Sequence, residues 1–284
     1  FEDVFEVEFE DGEIIECNGE HVWQVWDKNF RKHKEGSFPC LRNTWFLYDN
    51  IQKEKQKKKI EHRFHVSCNK PILYPKIQNL SIDPYVIGYW EGDGGKNSNC
   101  LTIGEQDIEI AKKILKEHGS VFSCSQKEKN KNCYRVFIDG EKKLKEQGMT
   151  AQEAKKNSFL YKIKQMNLYK NKHIPESYMY ASLEDRIELL RGFFDTDGCV
   201  NKNGTCEFVQ TRYELIKQVS QLLDSVGVKN VIKHKVTNYV KKDDTLAETY
   251  RIAFRNSKEM PLFNFPRKIE RLPETLNPII TRKA

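Results

Sequence analysis

The chemistry available to this 284-residue chain is concentrated in two short acidic runs, Glu91-Gly92-Asp93-Gly94 and Asp195-Thr196-Asp197-Gly198, whose last aspartates lie 104 residues apart. Each run ends an apolar stretch with the periodicity of a helix. An aspartate at a helix C-terminus sits where the macrodipole already places negative charge, so two of them side by side are unfavourable without a cation. Carboxylate oxygens with room for water suit Mg²⁺, with Mn²⁺ as a substitute. Two metal-holding carboxylates on a two-fold axis could support in-line hydrolysis of a phosphodiester. A lone Asp-Gly is ordinarily a helix stop before a turn, but here it recurs in matching contexts.

Those contexts form an internal repeat. Asp83-Pro84 opens the first helix with a side-chain acceptor and a proline at the first helical position. Tyr85 to Asp93 follow, and Gly94 ends it. Ser182, with Asp185 three residues on, opens the second, which runs to Asp197 and ends at Gly198. Leu101-Thr102-Ile103 then leads into a helix over Asp107–His118, as Phe208-Val209-Gln210 leads into one over Tyr213–Val226. The strands Cys133–Ile138 and Thr249–Phe254 come later in each half. Gly88 and Gly92 in one helix, and Gly192 and Thr196 in the other, fall four apart on one face. The two helices are expected to meet along that strip, with Asp93 and Asp197 at the same end of the pair.

These segments resemble the paired dodecapeptide motifs of LAGLIDADG homing endonucleases, in the single-chain, two-motif branch, over residues 76–275. The resemblance implies an α+β fold: two αββαββα-type halves, about 76–180 and 181–275, forming a saddle over double-stranded DNA. It assigns Asp93 and Asp197 to the metals. Lys172-His173-Ile174-Pro175 is similar to the Lys-x-Ile-Pro element of intein-encoded members, and Pro266-Arg267-Lys268 to its partner, which makes Lys172 and Lys268 candidate catalytic lysines. Phe9 to His21 resembles the intein splicing block ending in Thr-x-x-His, with Asn18 in place of Thr and His21 carried over. The chain begins without Cys or Ser and ends without His-Asn, so as written it is expected not to complete splicing. The expectation is a partial Hint-like, mostly β domain over 1–75 and the endonuclease domain over 76–284.

In that first domain Val4–Phe9 and the residues through Val25 alternate around Asp11-Gly12, the pattern of a hairpin. The Lys-rich stretch Lys53–Lys59 reads as a solvated helix face or linker in preference to the alternative of a phosphate-binding arm. A β-ribbon fits the major groove, and alternation puts Lys233 and Lys235 on one face, with Arg135 and Arg251 at equivalent places of the two halves as candidate DNA contacts. Trp90, Phe193 and Phe194 are expected in the core.

The net charge of +7 is compatible with a polyanionic partner. No apolar run approaches the roughly 18 residues a bilayer-spanning helix needs. The eight cysteines include no C-x-x-C pair and read as reduced thiols, which with the absence of a secretory signal points to an intracellular protein, while the internal repeat points to a monomer with pseudo-dimer symmetry. Three functions remain open: a site-specific endonuclease, a nucleic-acid-binding protein such as a maturase or regulator with idle aspartates, and a trimmed splicing element.

Overall fold

The computed structural model describes residues 3–9, 13–27, 39–55, 63–67, 70–75, 79–127, 132–240, 246–276 and 281–283. The chain divides into two units, one of residues 1–70 with 277–284, the other of residues 71–276. The sequence pattern placed the boundary near Lys76, and the last residues with the second domain.

In the smaller unit β1 (Val4–Glu8) pairs antiparallel with β2 (Ile14–Asn18), Val4 opposite Asn18 and Glu8 opposite Ile14. The expected Asp11-Gly12 turn lies outside the described residues. The strands β3 (Val22–Asp27), β4 (Cys40–Asn43), β5 (Phe64–Ser67) and the C-terminal β13 (Thr281–Lys283) form a second sheet in the order β13-β5-β3-β4. The helix α1 (Thr44–Lys55) follows β4 and carries the start of the Lys-rich stretch, the rest of which lies outside the described residues. Alternation along β3 buries Trp23 and Val25, which join Phe9, Leu47 and Phe64 in one small core. His21 lies exposed just before β3, its ring edge-on to Trp23 at 4.6 Å. Thr44 ties this corner together, taking the Trp23 indole N–H at 3.0 Å and donating its own main-chain N–H to the His21 carbonyl.

The larger unit is built twice. The helix α2 (Pro84–Asp93) is followed by β6 (Cys100–Gly104), α3 (Ile108–Glu117), β7 (Phe122–Lys127) and β8 (Cys133–Ile138). Short helices α4 (Glu141–Glu146), α5 (Ala151–Asn157), α6 (Phe159–Gln165) and α7 (Glu176–Met179) lead to the second copy. That copy is α8 (Leu183–Thr196), β9 (Gly198–Val200), β10 (Thr205–Gln210), α9 (Tyr213–Ser225), β11 (Asn230–Val240), β12 (Leu246–Arg255) and α10 (Pro266–Ile269). The sheet orders correspond: β9-β10-β12-β11 in the second half, and β6-β8-β7 in the first. A single bridge between Gly94 and Leu101 stands in the first half where β9 stands in the second.

Both motif helices start as the sequence dictates. Asp83 accepts from the Tyr85 and Val86 N–H groups, and Ser182 from that of Asp185. The residues Pro84 to Glu91 are all buried, so α2 is enclosed on every side and lies within the core of the unit. Trp90, Phe193 and Phe194 are fully buried in its single core. No described helix is long and apolar enough to cross a membrane.

Candidate functional site

The helices α2 and α8 lie backbone to backbone along the glycine-bearing strip. A methyl group on Gly192 would run into the Tyr89 main-chain nitrogen at 2.6 Å, and one on Gly88 would strike the Leu189 carbonyl oxygen. Gly92 faces Thr196 so closely that any side chain there would displace its hydroxyl. Only glycine permits this approach, and the approach brings the two helix ends together.

At that end Asp93 and Asp197 crowd each other. Burial, then the Asp197 charge, pushes Asp93 up to about 7, although Lys268 and Lys172 pull it down. Burial also raises Asp197, offset by the same two lysines and by a hydrogen bond from the Gln210 side chain. Among the described residues no side chain donates a hydrogen bond to Asp93. Two desolvated carboxylates under mutual repulsion are a donor set that a hard divalent cation would relieve. Among the described residues no group of three or more His, Cys, Asp or Glu side chains is arranged to hold a metal ion by itself. A two-carboxylate site suits an ion such as Mg²⁺, which commonly keeps water and substrate oxygens as its remaining ligands.

The structure brings Lys172 and Lys268 to this same place. The Lys172 ammonium donates to the carbonyls of Trp90, Glu91 and Gly94 at 2.6, 2.9 and 2.7 Å. Lys268 donates to those of Phe194, Asp195 and Gly198 at 2.7, 2.8 and 2.7 Å. Each acceptor in the first trio lies 104 residues before its counterpart, the offset that separates the two aspartates. An ammonium has three N–H donors, and here all three end on helix-terminal carbonyls. Each lysine therefore closes the negative end of a motif helix and lends its charge to the aspartates. Burial lowers both, Lys268 to about 8.

Several residues of the site had no role in the sequence reading. Asp195, two before Asp197, is 2% exposed and accepts from the Tyr85 hydroxyl at 2.9 Å and from the Asn264 and Phe265 N–H groups at 2.9 and 3.2 Å. It thereby fixes the segment that carries Lys268. Arg267 grips Asp107, at the start of α3, through two bonds of 2.8 and 2.7 Å. On the other side Arg212, just before α9, donates to the Lys172 carbonyl, and Gln218 of α9 pairs both main-chain groups of Ile174 at 3.0 Å. Each lysine segment is thus anchored on a helix of the opposite half. The signal available in the sequence was the acid two positions before each motif aspartate.

The four candidate DNA contacts lie on the sheets. Arg251 sits opposite both Val209 and Lys233, and Lys235 opposite Thr249, so the three cations share one face, away from buried Phe208, Ile252 and Phe254. Glu207 on that face binds Arg251 at 3.1 Å. In the other sheet Arg135 is exposed and sits opposite Thr102 and Gln126. Thr102 follows the residue that bridges Gly94, as Val209 follows the residue opposite Gly198. Arg135 and Arg251 therefore hold corresponding places in the two ladders.

Comparison with known proteins gives one family match, and it lies in the second copy. Residues 184–260 match the family model of a LAGLIDADG-like domain. Over 268 residues, 90% of the chain, the sequence is 24% identical to the replicative DNA helicase DnaB of Mycobacterium intracellulare, covering 39% of that protein. Over 55 residues, 18% of the chain, it is 42% identical to the ribonucleoside-diphosphate reductase large subunit of Invertebrate iridescent virus 6, covering 6% of it. Over 72 residues, 24% of the chain, it is 36% identical to ribonucleoside-diphosphate reductase NrdEB subunit alpha of Bacillus subtilis (strain 168), covering 7% of it. The chain spans about two fifths or less of the length of these relatives. A solved structure of mesophilic variants of the homing endonuclease I-DmoI aligns with 61% of this chain and 88% of its own, at 16% identity and a TM-score of 0.39. One of I-DmoI in complex with DNA and Ca aligns with 67% and 95%, at 13% identity and the same TM-score. The match to the LAGLIDADG-like domain model thus takes in Asp197 and most of the second sheet, and residues 84–138 repeat the element order of that stretch.

Proposed function

We propose that the chain is an intein-type LAGLIDADG homing endonuclease, a divalent-metal-dependent enzyme that hydrolyses both strands of DNA at a long, asymmetric site. The observation that carries this reading is the duplication of one site at one offset: an aspartate, a lysine-closed helix end and a glycine contact, each present twice and meeting across a pseudo-two-fold axis. Asp93 and Asp197 would hold the metal, Mg²⁺ or Mn²⁺ in its place. A bound divalent ion supplies Lewis-acid stabilisation of the phosphate charge and an activated water. Lys172 and Lys268, their donors spent on carbonyls, act by positioning the helix ends and keeping the aspartates ionised. Arg135, Arg251, Lys233 and Lys235 would read and hold the duplex as a monomer whose halves differ in sequence.

The intein part of the reading is supported by the relatives. A helicase and two ribonucleoside-diphosphate reductase subunits share pieces of this chain, although helicase and reductase activities have nothing in common, as expected of an inserted module rather than of either enzyme's own machinery. The smaller unit, with His21 beside Trp23, would then be the remnant of the splicing domain, and the protein would act inside the cell.

The test uses plasmids carrying the uninterrupted host gene identified from the reading frame around this chain. The expected result is linearisation in Mg²⁺ and none in EDTA. Asp93→Asn and Asp197→Asn should each lower cutting at least about 10²-fold while gel-shift binding persists. Cutting by the double variant at the parental rate would overturn the metal assignment. Binding without any cutting by the parent would favour the maturase or regulator reading.

A further inference from the structure

The duplicated site is not symmetric at one place. On the second-motif side the buried Asp195 is saturated by three donors, and Arg267 is taken up by Asp107. At the corresponding position on the first-motif side stands Glu91, 2% exposed, whose carboxyl oxygens have no short hydrogen bond among the described residues, with only Arg212 and the His173 N–H as more distant donors. The nearest cation, Arg212, is 3.6 Å away. Beside it opens a cavity of about 400 Å³ whose lining includes Glu91, Lys96, Lys170, Lys172, Gln210 and Arg212. Four of these six are cationic.

Lys172 is spent on carbonyls and Arg212 is shared with Glu91, but Lys96 and Lys170 have no acidic partner among the described residues. Lys170 also holds φ at +60°, the left-handed region that glycine or asparagine occupies more cheaply than lysine. Its N–H is fixed at 2.7 Å to the Lys96 carbonyl, which couples the two lysines through the main chain. Strain of this kind concentrates at binding sites. The matching positions of the other half carry no charge: Val200 stands 104 residues after Lys96, and Pro266 stands two before Lys268 as Lys170 stands two before Lys172.

We propose that this cavity is a phosphate pocket possessed by the first-motif side alone, taking a phosphate group of the DNA backbone beside the cut on Lys96, Lys170 and Arg212. Arg212 offers phosphate oxygens the N–H groups not taken by Glu91 and the Lys172 carbonyl, the two lysines add compact charge, and the water that accompanies a phosphate brings Glu91 closer donors. The nuclease reading underlies the choice of DNA as the source of the phosphate; the pocket's chemistry does not depend on it. The consequence is that the two strands are held unequally, and the end released on this side leaves more slowly.

Inorganic phosphate, titrated into the metal-free chain and followed by ³¹P NMR, tests the pocket. Saturable binding is expected, weakened about tenfold or more in the Lys96→Met/Lys170→Met double variant and unchanged in Lys142→Met, on exposed α4. An unmodified target duplex should bind more tightly than the same duplex with an uncharged methylphosphonate in place of the phosphate beside the cut, and the difference should vanish in the double variant. No saturable binding, or equal binding by parent and double variant, overturns the pocket. Phosphate binding without any difference between the two duplexes overturns DNA as its source. Metal-dependent cutting by the same preparations is read in parallel, so the pocket can fail while the nuclease reading stands.

Discussion

Asp93 is the residue whose ionisation the site controls most tightly. Its folded value of about 7, set mainly by burial and then by Asp197, lies well above the roughly 4 of an aspartate in an unfolded chain. Between those values the folded chain binds a proton that the unfolded chain does not, so this group's contribution to stability falls as pH rises from about 4 to about 7, then levels off. Asp93→Asn removes that limb. In EDTA it should be more stable than the parent at pH 8, by on the order of 1–3 kcal/mol, and should keep little of that advantage at pH 5. Thermal unfolding across pH reads this directly. A variant with the parental slope would mean that Asp93 is not under charge crowding.

Among the elements, the pairing of α2 with α8 was the most legible feature of the sequence, because glycine four residues from another small residue on an apolar helix has few explanations besides a close neighbour. Gly192 makes the point quantitatively. A methyl group there meets main-chain atoms of Tyr85 and Tyr89, which cannot rotate away, so Gly192→Ala must push the helices apart. The expected cost is about 1–3 kcal/mol, net of alanine's better helix propensity, with a matching fall in Tm and loss of cutting as Asp93 and Asp197 separate. What could not be read were contacts made by residues remote in the chain. Asp195 is two residues from Asp197, but its partners Asn264 and Phe265 lie 69 and 70 residues away. Gln210 reaches Asp197 because β10 runs beside β9, a pairing that periodicity does not specify.

His118 shows the same limit at the other end of the helix pair. It ends α3, stacks on Tyr85 at 4.6 Å, and lies 3.0 Å from Asp83 and 3.6 Å from Glu188. Burial works against its protonation, but Asp83 and Glu188 outweigh burial and raise it. A histidine raised on folding contributes stability that is fully present below its unfolded value of about 6.5 and is lost as pH rises through the folded value. His118→Gln should therefore be less stable than the parent at pH 6, with the gap narrowing by pH 9, as read by urea unfolding at both pH values.

For the larger unit taken whole, the two sheets present cations at corresponding rungs, but not in equal number. Lys233 sits opposite Arg251 in the second half, where the first half places Gln126 opposite Arg135. The pseudo-two-fold axis was legible because motif, spacing and strand order all repeat; the inequality emerged only with the register. If both faces rest on one duplex, affinity should fall steeply with salt, at about 0.9 in log–log slope per phosphate neutralised. Removing a residue that holds phosphate should lower that slope by about 1, whereas removing one that reads a base should leave it nearly unchanged and relax sequence preference locally. Arg135→Ala and Arg251→Ala occupy matching places in different halves, so their relaxed positions should fall at opposite ends of the site, about equally far from its centre. Binding to a library of site variants, measured at several salt concentrations, separates these outcomes. Relaxation of both variants at the same end would mean that the two sheets do not lie along a single duplex.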